Sequence, residues 1–312
     1  MDYKPKKNIL RLRPDTIDYV YRSINLSKPG EMEYAIRMLR DWTEKQPHFK
    51  RNDFSDNFLR SSIIVAKGSI ENAKQKIDKL CTLRSLLPEN FRCFNAKEDF
   101  AHVFEVMKPI VLPQVTEDHC RLMTVKVYGT IESCHISDAL KYSIVLGDYM
   151  RQCDFIREYI CIFDLSDVNI MDVITKLNLM DLRHAFAVYF EGHGLRFKSM
   201  YFITTSKLVD TLINLLKQVL KPKLIDRIKV VKSWDEVHNI IDKDILPVDF
   251  GGYERSEQEL HDDWLEETCN EEFQKYLRDI NSTGTDESSR PSYKFNEEYA
   301  GMPGTFKQLT VD

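Results

Sequence analysis

The stretch Glu158-Tyr-Ile-Cys-Ile-Phe-Asp164 decides the fold class. Its interior is apolar at successive positions, so both faces of an extended segment are hydrophobic, as in a central strand of a parallel sheet covered on each side. Working outward, an amphipathic helical pattern over residues 137–153 and a β-prone run over 121–128 precede it. A helical stretch over about 171–189, a strand over 195–203, a helix over 207–221 and a short strand over 227–231 follow. Strand and helix alternating at this spacing predict an α/β fold with a mostly parallel sheet.

Upstream the character changes. Met32, Ala35, Ile36 and Leu39 form one apolar stripe at helical spacing, and Ile70, Ala73, Ile77 and Leu80 form another behind Ser69, a helix N-cap. Residues 30–87 therefore read as a helical module that closes at Pro88-Glu-Asn90. Downstream of Gly251-Gly252, one acidic amphipathic helix is expected over about 257–277, with Trp264 and Phe273 on it, followed by a surface tail without its own core.

The 312 residues are 43% hydrophobic and 30% charged, enough for a sizeable core and about two domains. A net charge of −5 removes a general nucleic-acid binder, which needs surplus cations to displace phosphate counterions. That sum hides an asymmetry: residues 254–312 hold 15 acids against 6 bases, and residues 1–253 hold 34 acids against 38 bases. No apolar run reaches membrane-spanning length and no signal peptide is present, while seven cysteines without a Cys-x-x-Cys pair indicate a reduced, cytoplasmic chain.

Enzyme signatures are missing. Gly192-His-Gly194 is followed by Leu195, Arg196 and Phe197 and precedes a strand, so it is not a dinucleotide loop. There is no nucleophile elbow, and the eight histidines lack metal-ligand spacing. His193 is the one candidate base, with a solvated loop histidine as the plainer reading, and Asp164 with Asp167 read as turn formers at a strand end. No catalytic residue, metal or cofactor is expected.

Several linked motifs then carry a resemblance. In the helical module these are Leu39-Arg-Asp-Trp-Thr-Glu-Lys-Gln-Pro-His48, Asp56-Asn-Phe-Leu59, Asn72-Ala-Lys74 and Leu83-Arg-Ser-Leu-Leu-Pro88. In the sheet region they are Ile162-Phe-Asp164, Leu195-Arg-Phe-Lys198, Lys217-Gln-Val-Leu-Lys-Pro-Lys223 with Asp226-Arg227-Ile228, and Ile245-Leu-Pro-Val-Asp-Phe-Gly-Gly252. In this order the chain resembles the CRAL-TRIO lipid-carrier family, in its alpha-tocopherol transfer and retinaldehyde-binding branch of the insect type. It departs from the family at Gly194, where proline is usual, and near Ala66, where an arginine that contacts phosphoinositides is replaced with only Lys67 beside it.

The resemblance implies an N-terminal helical module (residues 1–95), an α/β lipid-binding domain (96–255) and an acidic C-terminal helix and tail (256–312). It also implies a monomeric, non-catalytic carrier that holds one hydrophobic small molecule under a mobile gate helix and exchanges it with membranes. Expected cavity and gate residues are Ser143, Phe163, Val209, Leu212, Ile213, Leu216, Val219 and Leu220, with Ser143 orienting a polar end of the ligand. On the residues alone, the apolar face of 208–220, opposed by Asp210, Asn214, Lys217 and Gln218, suits a cavity cover or an interfacial helix, with a fixed core helix as the plainer reading; the resemblance is what favours the gate. Arg196 and Lys198, two apart on a strand and placed beside Lys223 and Arg227, are expected to converge on a phosphoinositide head group, with a solvated basic face as the alternative. The acidic tail is expected to screen these cations. The competing class is a phosphoinositide-reading adaptor that docks a protein partner through Trp264 and Phe273.

Overall fold

A computed structural model describes residues 1–290. Four helices open the chain, α1 (Thr16–Ser23), α2 (Glu31–Glu44), α3 (Asp56–Val65) and α4 (Ile70–Leu86). Ser55 and Ser69 cap α3 and α4, each side chain accepting from the backbone N–H three residues on. The Ile36, Leu39, Ala73, Ile77 and Leu80 stripes are all buried, as their spacing requires. Two single turns, α5 (Ala96–Asp99) and α6 (Ala101–Phe104), lead into the sheet.

The sheet has five strands in the order β1 (Met107–Val115), β2 (Arg121–Val127), β3 (Tyr159–Asp164), β4 (Phe197–Ile203) and β5 (Ile228–Val231). Only β1 runs antiparallel; β2 to β5 are mutually parallel. Five of the six residues of β3 are buried, consistent with a strand apolar on both faces. The sequence reading missed β1 because Pro109 and Pro113 interrupt it, and an edge strand with a register shift between Val111 and Val115 tolerates both.

The connections are α7 (Ser133–Cys153), α8 (Ile170–Lys176), α9 (Leu179–Phe186), α10 (Val209–Leu216), α11 (Pro222–Ile225) and α12 (Trp234–His238). The single helix expected over 171–189 is broken at Asn178, whose side chain accepts from Met180 and Asp181 N–H and starts α9 anew. A π-helical turn, Ala187–Gly192, then carries the chain to β4.

Two helices follow where one was expected, α13 (Glu257–Cys269) and α14 (Glu271–Asn281), divided by Asn270 as the cap of the second. They are part of the core. Trp264 and Phe273 are fully buried, Trp264 Nε1 donating to the Val111 carbonyl of β1 at 2.8 Å, so neither is a surface anchor. The segment before α1 lies against them, with the Tyr3 ring 5.0 Å from that of Phe273. Among the described residues, the acids of this region pair away from the cations near β4: Asp263 and Glu266 with Lys7, Glu254 with Arg11, and Asp279 with Arg51. These four acids do not reach those cations, and the part of the acidic tail over 291–312 lies outside the described residues.

His261 of α13 is buried with no hydrogen-bond partner at either ring nitrogen, edge-on to Phe104 at 4.5 Å. Burial, reinforced by Lys108, holds its pKa down to about 4. An unfolded histidine titrates near 6.5, so between those values the unfolded chain binds more protons and stability falls as pH drops. Urea unfolding of the wild type between about pH 7 and about pH 4.5 should lose up to roughly 3 kcal/mol through this group. His261→Phe should flatten that slope; parallel slopes would contradict the assignment.

Candidate functional site

Parallel pairing brings alternate residues of adjacent strands into rows across the sheet. Met123, Cys161, Met200 and Ile228 form one row, and Val125, Phe163 and Phe202 form the next, with the Phe163 and Phe202 rings 5.2 Å apart. Helices do not close down on this face. Between it and Ile136, Leu140, Ser143 and Leu146 of α7, Val173 of α8, Leu182 and Phe186 of α9 and Leu212, Leu216 and Leu220 lies a cavity of about 220 Å³. That exceeds the roughly 150 Å³ apolar cavity that stays dry and admits benzene.

The lining is apolar apart from a few hydroxyls, and two of these are already engaged. Ser143 Oγ donates to the Ala139 carbonyl at 2.9 Å and Tyr189 OH to the Leu140 carbonyl at 2.7 Å. Each hydroxyl oxygen keeps acceptor capacity after donating, so a ligand hydroxyl or amide could donate to them without leaving a buried group orphaned.

Of the expected cavity residues, Ser143, Phe163, Leu212, Leu216 and Leu220 line this space. Val209, Ile213 and Val219 do not. Val209 packs with Leu182, Phe202, Leu216 and Leu220 in a small apolar cluster, and Ile213 and Val219 lie against its margin. Through Leu216 and Leu220, which belong to this cluster and also line the cavity, the α10 segment packs along the cavity wall. Leu208, Met171 of α8 and Met180 of α9 are large apolar side chains left exposed. Sheet-facing residues of β2 and the walls from α8 and α9 escaped the sequence reading, because a cavity-lining side chain has the same apolar pattern as ordinary core.

The cations divide differently from expectation. Residues 65–79 of α3 and α4, 190–196 and 221–227 enclose a groove of about 650 Å³ lined by Lys67, Lys76, Lys79, Arg196, Lys221, Lys223 and Arg227, with Glu191 among them. Arg196, Lys223 and Arg227 are thus brought together. Lys198 is not: its ammonium pairs with Asp118. The reason is a bulge, since Tyr159 pairs with Phe197 but Ile160 pairs with Ser199, so Lys198 is an extra residue that breaks the alternation with Arg196. Arg196 itself pairs with Glu158 at 3.0 Å, and Arg227 donates to the Phe197 carbonyl. The pKa of Lys67 is lowered chiefly by the charge of Arg196, then by burial and Lys223, which reports how closely these cations gather. The α4 contribution had a visible signal: Asn72, Lys76 and Lys79 share a helical face beside the buried stripe of Ala73, Ile77 and Leu80.

His193, in the loop before β4, is fully buried, not a solvated loop residue. Its Nε2 is 3.0 Å from Asp148 Oδ1, and Asp148 also accepts from Arg84. Burial holds the imidazole below its ordinary pKa against the pull of Asp148. Asp148 stays ionised although burial opposes it, because Arg84 and His193 outweigh that cost. Asp164 Oδ1 accepts from Ser166 N–H and Oγ, a turn-forming role.

Against known proteins, the family model described as CRAL/TRIO domain matches residues 105–252. This match supports the CRAL-TRIO family for that region and, in general terms, a lipid-binding or lipid-transfer role. Among solved structures, "Crystal structure of Sfh5" is similar at 7% identity and a TM-score of 0.38, covering 72% of this chain and 84% of that one. No curated protein matches the chain. Among the described residues no helix is long and apolar enough to cross a membrane, and no cluster of three or more metal-ligating side chains occurs.

If the cavity is a void awaiting a ligand, filling it from the sheet should strengthen the empty protein. Val125→Phe should raise the thermal midpoint of ligand-stripped protein by a few degrees, about 1 kcal/mol of added burial. A lower midpoint would show that the space is too small or already closed in solution.

Proposed function

We propose that this chain is a non-catalytic carrier that holds one hydrophobic molecule of the isoprenoid, tocopherol, retinoid or terpenoid kind and exchanges it with membranes. One observation carries the reading: an apolar cavity on the sheet of the lipid-binding domain, residues 96–255, whose outer wall is the short helix α10. An apolar space of this kind disfavours ions and polar metabolites, because each polar group left without a partner there costs roughly 1–3 kcal/mol.

The wall is also the gate. Val209, Leu212, Leu216 and Leu220 are each less than a tenth exposed, and uncovering them in water forfeits about 1.5–3 kcal/mol per side chain. A bilayer receiving Leu208, Met171 and Met180 offers replacement surface for the inner residues as they turn outward. Opening is therefore tied to membrane contact, and release into bulk water is disfavoured.

The groove formed by Arg196, Lys223 and Arg227, extended by Lys67 and Lys221, supports recognition of a phosphorylated inositol head group. Lys67 takes up part of the role left by the arginine missing near Ala66. The adaptor reading loses its support, because its two proposed anchors, Trp264 and Phe273, are in the core.

Vesicle-to-vesicle transfer of a fluorescent tocopherol analogue tests the carrier reading. Wild type should accelerate transfer and Val125→Phe should lose it while remaining folded; transfer equal to a no-protein control would overturn the proposal. For the head group, flotation with phosphoinositide-containing liposomes should show a several-fold loss for Arg196→Gln/Arg227→Gln and little for Lys198→Ala, which is tied to Asp118. Equal binding by all three proteins would sink the head-group reading.

A further inference from the structure

Lys76 lines the basic groove, and among the described residues it has no carboxylate bonded to its ammonium. Its Nζ reaches only the Phe190 carbonyl, at 3.4 Å. The stem of this lysine runs beneath Gly194, which stands at φ +73°; a Cβ there would meet Lys76 Cδ at 3.0 Å and Val65 Cγ2 at 2.9 Å. Glycine at this position, a departure from the family's usual proline, thus leaves room for a lysine to lie under the loop that ends at Arg196.

The surroundings disfavour its charge. Burial is the main cause, Arg151 and Lys221 add repulsion, Glu191 opposes them, and the pKa is pulled down to about 8. Near pH 7.4 about one amine in five is then neutral, against about one in a thousand for a solvated lysine. A desolvated lysine beside other cations is the usual environment of an imine-forming amine.

We propose that Lys76 is a carbonyl-capturing residue and that the groove takes a small aldehyde bearing a phosphate or similar anionic group. The anion is held by Arg196, Lys223 and Arg227, and the carbonyl carbon becomes joined to Nζ as an imine. The nitrogen lone pair attacks the carbonyl carbon and the two amine protons pass to the carbonyl oxygen. The C–O bond then breaks, and one water leaves as C=N forms. No oxidant or reductant is needed, and water reverses the step. The proposal rests on the groove binding an anion, as the head-group reading does, but needs no membrane.

Pyridoxal phosphate serves as the probe, added at one equivalent to the full chain near pH 7.4, followed by borohydride reduction and peptide mass mapping. The reduced adduct should fall on Lys76 in preference to any exposed lysine by at least about tenfold, the roughly two-hundredfold larger neutral fraction being partly offset by the lower basicity of the amine. Lys76→Arg should lose that adduct. Excess inorganic phosphate and Arg196→Gln/Arg227→Gln should each lower it, and pyridoxal without the phosphate should label Lys76 weakly. Labelling spread over exposed lysines and unchanged in Lys76→Arg would overturn the proposal, as would equal labelling by pyridoxal. Lys76 labelling without phosphoinositide-vesicle flotation would reject only the membrane reading; flotation without Lys76 labelling would reject only this one.

Discussion

Asp148 carries a negative charge in the interior of the molecule, and the rest of the site is arranged around keeping it there. Arg84 reaches it from α4, His193 reaches it from the loop before β4, and it belongs to α7. Removing one partner of such a buried pair strands the other and costs roughly 3–5 kcal/mol. The helical module, the cavity wall and the groove loop are therefore held in a single arrangement. Gly147, next to Asp148, is what lets the loop come so close, because a Cβ there would lie 2.5 Å from His193 Nδ1. Arg151, one turn on, extends the contact by donating to Ser61 and Ser62 of α3 and standing over the Phe58 ring at 4.9 Å.

Two compartments of opposite chemistry share this frame. Ser143 and Leu146, on the turns of α7 that lead into Gly147, face the apolar cavity, and Arg196, three residues past His193, lines the cationic groove. Phe190, Leu195 and the 220–227 segment lie between the compartments, with Phe190 and Leu195 contributing to both. The groove and the cavity thus lie on either side of the same few residues. The fixed charge network supports one side of this partition, and α10, held by a small apolar cluster, closes the other.

Much of this order could be read from the residues. The doubly apolar β3, the capped stripes of α3 and α4 and the alternation of strand with helix are local patterns, and they led to the α/β sheet with its helical module. The edge strand β1 was hidden because proline is absent from most strand patterns. The burial of α13 and α14 was hidden because their many acids pair with the N-terminal segment, so composition pointed to a solvated tail while Leu260, Trp264, Phe273 and Leu277 faced inward. Within the site, Leu212, Leu216 and Leu220 were legible from helical spacing, and Arg196, Lys223 and Arg227 from the family motifs. Lys198 was misplaced by a bulge that alternation cannot foresee, and Lys76 drew no notice because nothing local shows that Gly194 and Phe190 will cover it.

The proposed carrier holds a hydrophobic molecule in the cavity lined by Leu212 and Leu216 of α10. Native mass spectrometry of the full chain, purified without detergent and followed by organic extraction, addresses it most directly. One bound apolar molecule per chain is expected, retained in gentle ionisation, recovered in the organic phase and absent from Val125→Phe. An unliganded mass together with no lipid-induced rise in thermal midpoint would contradict it.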